Sequence, residues 1–224
     1  MTYLRACSIW LSNQIAQRRC PDVKIFFIGF NKCATTAIHR LMAGSGIRSI
    51  HWERREGQNI ALEIEAALQE GRLKEYARSF TALSDPFYFA SDRIVEANRY
   101  FAEFHEAFPD SYFVLNDRDV EDWIKSRAGH RKGELLQRFK DFYKSDEEGV
   151  KNIWRDDHAG HVRDVLAHFA GHGRFLHFRI DRDPPELLCD FLAPTFRTDP
   201  NRWTTVNATK KAALRKRLFH DSVP

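Results

Sequence analysis

Two groups of residues have the types and spacing needed to grip an anion. The first is Lys32, Thr35 and Thr36, set in Gly29-Phe30-Asn31-Lys32-Cys33-Ala34-Thr35-Thr36 between an apolar run and a helical pattern. Backbone N–H groups at a helix start have no partner within the helix, and the helix dipole adds partial positive charge there. An anion is therefore favoured. Lys32 contributes a full charge on a flexible arm, and the two threonines contribute hydroxyl donors. The common nucleoside-triphosphate loop differs, because its lysine follows a glycine and directly precedes Ser or Thr. Here Cys33 and Ala34 stand between Lys32 and Thr35. The second group is Arg118, in Asp117-Arg118-Asp119, with Ser126 eight positions later. Arginine recognises phosphate through a planar fork of donors, and a hydroxyl can complete the cradle. The competing structural roles are a plain N-cap for Thr35, a solvated turn for Lys32, and surface pairing of Arg118 with Asp117, Asp119 or Asp122.

These residues need elements to hold them. The run 24–29 (KIFFIG) is short and continuously apolar, as expected for a strand buried on both faces. Strands are also expected over 80–83, 111–115 (SYFVL) and 174–180 (RFLHFRI). Helical patterns cover 3–17, 35–43, 60–68, 92–108, 120–126, 134–144, 150–169, 184–191 and 208–219. Strands alternating with helices imply an α/β chain with three layers, α/β/α, around a central parallel sheet. Ligands of such sheets bind beyond the carboxyl ends of the strands, where both polar turns fall. No repeat or Pro/Gly linker divides the chain, so one domain is expected over 1–224. Its parts are an N-terminal helix within 1–22, a core over 23–207 and a basic C-terminal helix within 208–224.

Lys and Arg total 35 against 31 Asp and Glu, a formal net charge of +4. A mildly basic chain suits an anionic cofactor or substrate. Apart from 210–217 the basic residues are dispersed, which argues against nucleic acid as a partner. The four cysteines, Cys7, Cys20, Cys33 and Cys189, form no metal-binding pattern, and their sparse spacing fits reduced thiols in a cytoplasm. No run approaches the ~20 apolar residues of a membrane span, and no secretory signal is seen. The 3–17 helix is expected to pack on the core rather than to anchor at a surface.

Taken together, Asn31-Lys32-Cys33-Ala34-Thr35-Thr36 after a strand, and Arg118 with Ser126 after another, resemble the sulfotransferases that use 3′-phosphoadenosine 5′-phosphosulfate (PAPS). Ser84-Asp85-Pro86 and the late segment 203–207 (WTTVN) resemble the microbial branch of that superfamily. The resemblance implies a P-loop nucleotide-hydrolase-like sulfotransferase fold. It implies that Asn31 to Thr36 hold the 5′-phosphosulfate and that Arg118 and Ser126 hold the 3′-phosphate. Ala34 stands where the family pattern has glycine, and Val120 where it has proline. An alanine is comfortable there only at negative φ.

The activity so implied is transfer of a sulfonate group from PAPS to a hydroxyl or amine. The acceptor class stays open among saccharides, lipids and small molecules, and no metal is required. Lys32 would neutralise charge on the leaving phosphate. Three groups are candidates for the base: Asp85, preferred for its place after a strand, His51 and Glu53. Trp52, Phe87, Tyr88 and Phe89 could line an acceptor pocket. Lys210, Lys211, Arg215 and Arg217 read as a solvated helix face. The alternatives are a P-loop kinase-like nucleoside-triphosphate enzyme and a non-catalytic nucleotide-binding protein of the same fold.

Overall fold

The computed structural model describes residues 2–54 and 57–204. The basic helix expected within 208–224, with Lys210, Lys211, Arg215 and Arg217, lies outside the described residues, as do 205–207. In chain order the helices are α1 (Thr2–Arg19), α2 (Thr35–Gly44), α3 (Ile60–Gln69), α4 (Leu73–Tyr76), α5 (Phe101–Ala107), α6 (Val120–Ala128), α7 (Glu134–Tyr143), α8 (Glu147–His168) and α9 (Pro185–Leu192). The strands are β1 (Ile25–Phe27), β2 (Ser49–His51), β3 (Ala82–Ser84), β4 (Phe87–Phe89), β5 (Ile94–Glu96), β6 (Tyr112–Asp117) and β7 (Phe175–Arg179).

Five strands form one sheet in the order β2-β3-β1-β6-β7, and every neighbouring pair is parallel. The central strands alternate between two apolar layers, as the two-residue period of a strand requires. Phe26 and Ile28, with Phe113 and Leu115, pack against Ile60, Ile64, Phe104 and Val165 on one face. Ile25 and Phe27, with Tyr112 and Val114, pack against Ile38, Leu41, Leu188 and Leu192 on the other. A third cluster, including Phe30, Trp123, Leu135, Phe139 and Trp154, joins the loop after β1 to α6, α7 and α8. The three-layer α/β arrangement expected from the sequence is the one observed.

Helix starts follow the capping rule that a side-chain oxygen accepts from an early backbone N–H. Asn59 accepts from Ala61, Asp119 from Glu121 and Asp122, and Asp146 from Gly149. Helix α2 is different. Its N-cap is Ala34, which has no side chain able to cap.

One expectation is corrected, and two features were not foreseen. The helix expected over 92–108 is confined to Phe101–Ala107. Ile94-Val95-Glu96 instead pairs antiparallel with Phe87-Tyr88-Phe89, because β-branched and aromatic residues flank the turn at Ser91 and Asp92. Strand β2, at the sheet edge, is not apparent in the sequence. Helix α1 also differs from a simple apolar packing stripe. Asn13 donates to the Ser45 and Arg197 carbonyls and Gln17 to that of Gly46, while Trp10, Leu11 and Ile15 are exposed. No described helix is long and apolar enough to cross a membrane.

Candidate functional site

The turns after β1 and β6 diverge from neighbouring strands, one towards β2 and one towards β7. This is the topological switch point at which open parallel sheets bind ligands. Asn116, fully buried at the end of β6, ties the two turns together. Its Oδ1 accepts the Gly29 N–H at 3.0 Å and its Nδ2 donates to the Cys33 carbonyl at 2.9 Å. The approach is so close that a Cβ on Gly29 would lie 1.8 Å from the Asn116 carbonyl oxygen. Glycine is required there by space, not by φ. The Trp123 indole N–H, from α6, donates to the Asn31 carbonyl at 2.8 Å, and His161 hydrogen-bonds the Ile28 carbonyl at 2.7 Å.

Within this frame the loop bends through positive φ at Lys32 (67°) and at Ala34 (58°). The negative φ at which an alanine would be comfortable is therefore not the one adopted. The surrounding bonds from Asn116 and Trp123 fix the loop path, and the alanine follows it at a cost of about 1–2 kcal/mol. With no side chain capping α2, the first amides of Thr35, Thr36 and Ala37 are left to an outside acceptor.

The two motifs meet. Arg118 Nη1 donates to the Lys32 carbonyl at 3.4 Å, and the Arg118 amide donates to the Asp117 carboxylate at 2.7 Å. The Arg118 Nε and the Asn31 Oδ1 are buried without a hydrogen-bond partner. Ser126 lies half-buried in the last turn of α6, and no hydrogen bond joins its hydroxyl to Arg118 among the described residues. Thr35 is buried and Thr36 half-buried at the start of α2. Cys33 is buried, and its thiol is pushed up by burial and then by the Asp117 charge, so it is inert at neutral pH.

Asp85, directly after β3, also adopts a positive φ of 55°. Burial raises its carboxyl to about 6, against the opposing pull of the Lys32 ammonium and the Thr35 hydroxyl. One of its oxygens, Oδ1, has no hydrogen-bond partner. His51 Nε2 stands 3.8 Å from the other oxygen, and His51 Nδ1 meets the Ser84 hydroxyl at 3.1 Å. Burial lowers His51 to about 4, so it is neutral at pH 7. The structure thus brings Asp85 and His51 together beside Lys32. Glu53 pairs through its backbone with His51 and Asn59, but its carboxylate joins no ion pair with this cluster among the described residues. Trp52 is exposed, Phe87 and Phe89 pack on the third cluster, and Tyr88 packs on the first.

Sequence reasoning missed four supports of this site. Asn116 had a readable signal, a polar amide closing an apolar strand. Asp117 is not a surface partner of Arg118. Its carboxylate accepts from His158 Nε2 at 2.8 Å and from His177 Nε2 at 2.9 Å. Those bonds, together with the Arg118 N–H, outweigh burial and hold its carboxyl well below the usual range. Arg127, 1% exposed, pairs with Glu96 at 2.6 Å among the rings of Trp123, Phe139 and Trp154. His130 accepts from Lys32 Nζ at 3.1 Å. None of these last three is announced by spacing along the chain.

No group of His, Cys, Asp and Glu able to hold a metal ion occurs among the described residues. An open hollow lined by Ala102, Glu103, His105, Glu106, Pro109 and His168 lies towards the opposite, amino-terminal edge of β6 and takes no part in this site. Residues 24–133 match a family model described as Sulfotransferase domain. No curated protein matches the chain.

Proposed function

We propose that the chain, whose residues 24–133 match the sulfotransferase domain family, is a sulfotransferase that transfers a sulfonate group from PAPS to a hydroxyl or amine of an acceptor. We take 1–224 as one functional domain. The observation that carries the donor assignment is the meeting of two anion-seeking elements. An uncapped helix start with Lys32 lies on one strand end, and Arg118, with a buried unpartnered Nε, on the next. Two cationic sites on adjacent strand ends suit a nucleotide with phosphate at both its 5′ and 3′ positions. The residues present fit that group: the unpartnered donors face no protein acceptor, and buried polar groups are normally paired.

In this reading Asn31 to Thr36 hold the 5′-phosphosulfate, and Arg118 with Ser126 the 3′-phosphate. Bound PAPS supplies the activated sulfonate. Lys32 and the α2 amides stabilise charge that grows on the departing phosphate oxygen. Asp85 is the base. It takes the acceptor proton while the acceptor oxygen bonds to sulfur and the bond from sulfur to the phosphate oxygen breaks. A carboxyl near pKa 6 is ionised at neutral pH yet basic enough to help, and a positioned base contributes about 10²–10⁴ in rate. His51, neutral and 3.8 Å from the second Asp85 oxygen, packs beside the base. Glu53 is the third candidate for proton removal. Phe87 and Phe89 are proposed to flank the acceptor.

Titration calorimetry with 3′-phosphoadenosine 5′-phosphate tests the donor assignment. Binding should survive removal of Mg²⁺ and weaken by about 10- to 100-fold in Arg118→Ala, the loss expected for hydrogen bonds to a charged group. Lys32→Ala should lower single-turnover transfer from labelled PAPS by about 10²–10³. Tight binding of Mg²⁺–ATP with none of the bisphosphate nucleotide refutes the proposal.

A further inference from the structure

The sulfonate-transfer chemistry makes no use of the contact between Lys32 and His130. Helix α6 ends at Ala128 with Gly129 as its cap, and the chain then turns through His130–Gly133 with left-handed backbone at Arg131 (49°), Lys132 (61°) and Gly133 (93°). Such conformations cost non-glycine residues energy and persist where surrounding structure imposes them. The effect of this turn is to bring the His130 ring to the loop after β1, where Nδ1 meets Lys32 Nζ at 3.1 Å.

The direction of that bond is fixed by chemistry. An ammonium can only donate, so Nδ1 is the acceptor and the ring proton sits on Nε2. The groups acting on His130 are Lys32, Arg131 and Glu134, and those acting on Lys32 are Asp85 and Arg118. Burial, then the Lys32 and Arg131 charges, lower the imidazole from its ordinary value, with Glu134 opposing. The neutral ring that can accept is therefore the form present at pH 7.

We propose that His130 is a positioning residue that holds the Lys32 ammonium in the ligand-free site and releases it to the anionic group of the donor. This rests on the assignment of Lys32 to the donor's 5′ end. Two consequences follow from the shared proton geometry. Protonated His130 cannot accept from Lys32 and repels it, so the hold is lost on acidification. An arriving phosphate that draws Lys32 away leaves His130 free to take up a proton.

Proton NMR of the His130 ring and competitive acylation of Lys32, read by mass spectrometry, test this on the whole chain without any activity assay. In Lys32→Ala the His130 midpoint should rise by roughly half a pH unit or more, as removal of an adjacent unit charge implies. In His130→Ala, Lys32 should acylate about threefold or more faster at pH 8, because its charged form has lost an acceptor. His130→Asn, whose Oδ1 lies where Nδ1 lay, should return the rate to within about twofold of wild type. Unchanged titration and unchanged acylation overturn the hold, and so does failure of His130→Asn to restore it. Adding 3′-phosphoadenosine 5′-phosphate to wild type should raise the His130 midpoint. If calorimetry shows binding and the midpoint stays fixed, the hand-over is refuted. If no nucleotide binds, the donor assignment fails, while the hold is still judged by the ligand-free measurements.

Discussion

Replacing Ala34 with glycine tests the anion loop by the sign of a single free energy. Ala34 sits at φ 58° and ψ 19°, in the left-handed region, at the start of α2. An L-residue there pays about 1–2 kcal/mol that glycine does not. Glycine in turn gives the unfolded chain more freedom, which costs about 0.4–1 kcal/mol. The difference leaves Ala34→Gly more stable by roughly 0.5–1 kcal/mol. At about 2–4 °C per kcal/mol for a chain of this size, Tm should rise by about 1–4 °C. Were φ negative, only the unfolded-state term would act, and the variant would lose about 0.4–1 kcal/mol. Urea denaturation followed by circular dichroism distinguishes the two, provided the m value is unchanged. A lower midpoint at equal m would show that the loop does not take the left-handed path, and the uncapped-helix argument would fall with it.

Further outcomes follow from the buried charges. Asp85→Asn should abolish the rise of transfer rate through about pH 6 and should raise thermal stability at pH 7. A carboxyl raised by burial makes the native state bind more protons, so its contribution to stability falls as pH increases from about 4 to 6. An unaltered pH–rate profile in that variant would remove Asp85 as the base. Asp117 has the opposite sign. Its lowered carboxyl stabilises the fold above the unfolded value near 4, and that stability is lost as pH falls further. Asp117→Asn should cost about 1–3 kcal/mol at pH 7, since an amide turns donors towards His158 or His177, and should flatten the acid limb of a stability–pH curve. Arg127→Leu breaks a buried pair and leaves Glu96 with Arg99 as its remaining cation. Chemical denaturation should register a loss of about 3–5 kcal/mol.

Much of this architecture was legible because it is local. The apolar runs at Ile25–Phe27 and in the first part of Tyr112–Asp117 leave little choice but buried parallel strands, and the polar turns after them mark the ligand edge. Helix α3 follows its apolar periodicity, and α7 and α8, read as polar helical segments, also lie within a few residues of expectation. The stretch after Asp92 was misleading because Ile94 and Val95 fit a helical stripe as well as a strand, and only pairing with Phe87–Phe89 decides. The supports of the site were hidden for another reason. His130 lies 98 positions from Lys32, and His158 and His177 lie 41 and 60 positions from Asp117. Contacts of that separation depend on how the helices cross the sheet, which no local pattern records. The sign of φ at Ala34 is likewise imposed from outside, by Asn116 and Trp123.

The bond from Asn116 to Gly29 has a consequence for biosynthesis. The two residues are 87 positions apart, so at roughly 5–20 residues per second the loop after β1 is made about 4–17 s before its brace. Until β6 emerges, the loop has no wall to close against and β1 lacks a neighbour on that side. Nascent chains should therefore have no affinity for nucleotide, and ligand cannot act as a template for the first half of the molecule. Formation of the cradle is a late, long-range event, of the kind that makes folding slow and leaves exposed strand edges to be protected meanwhile.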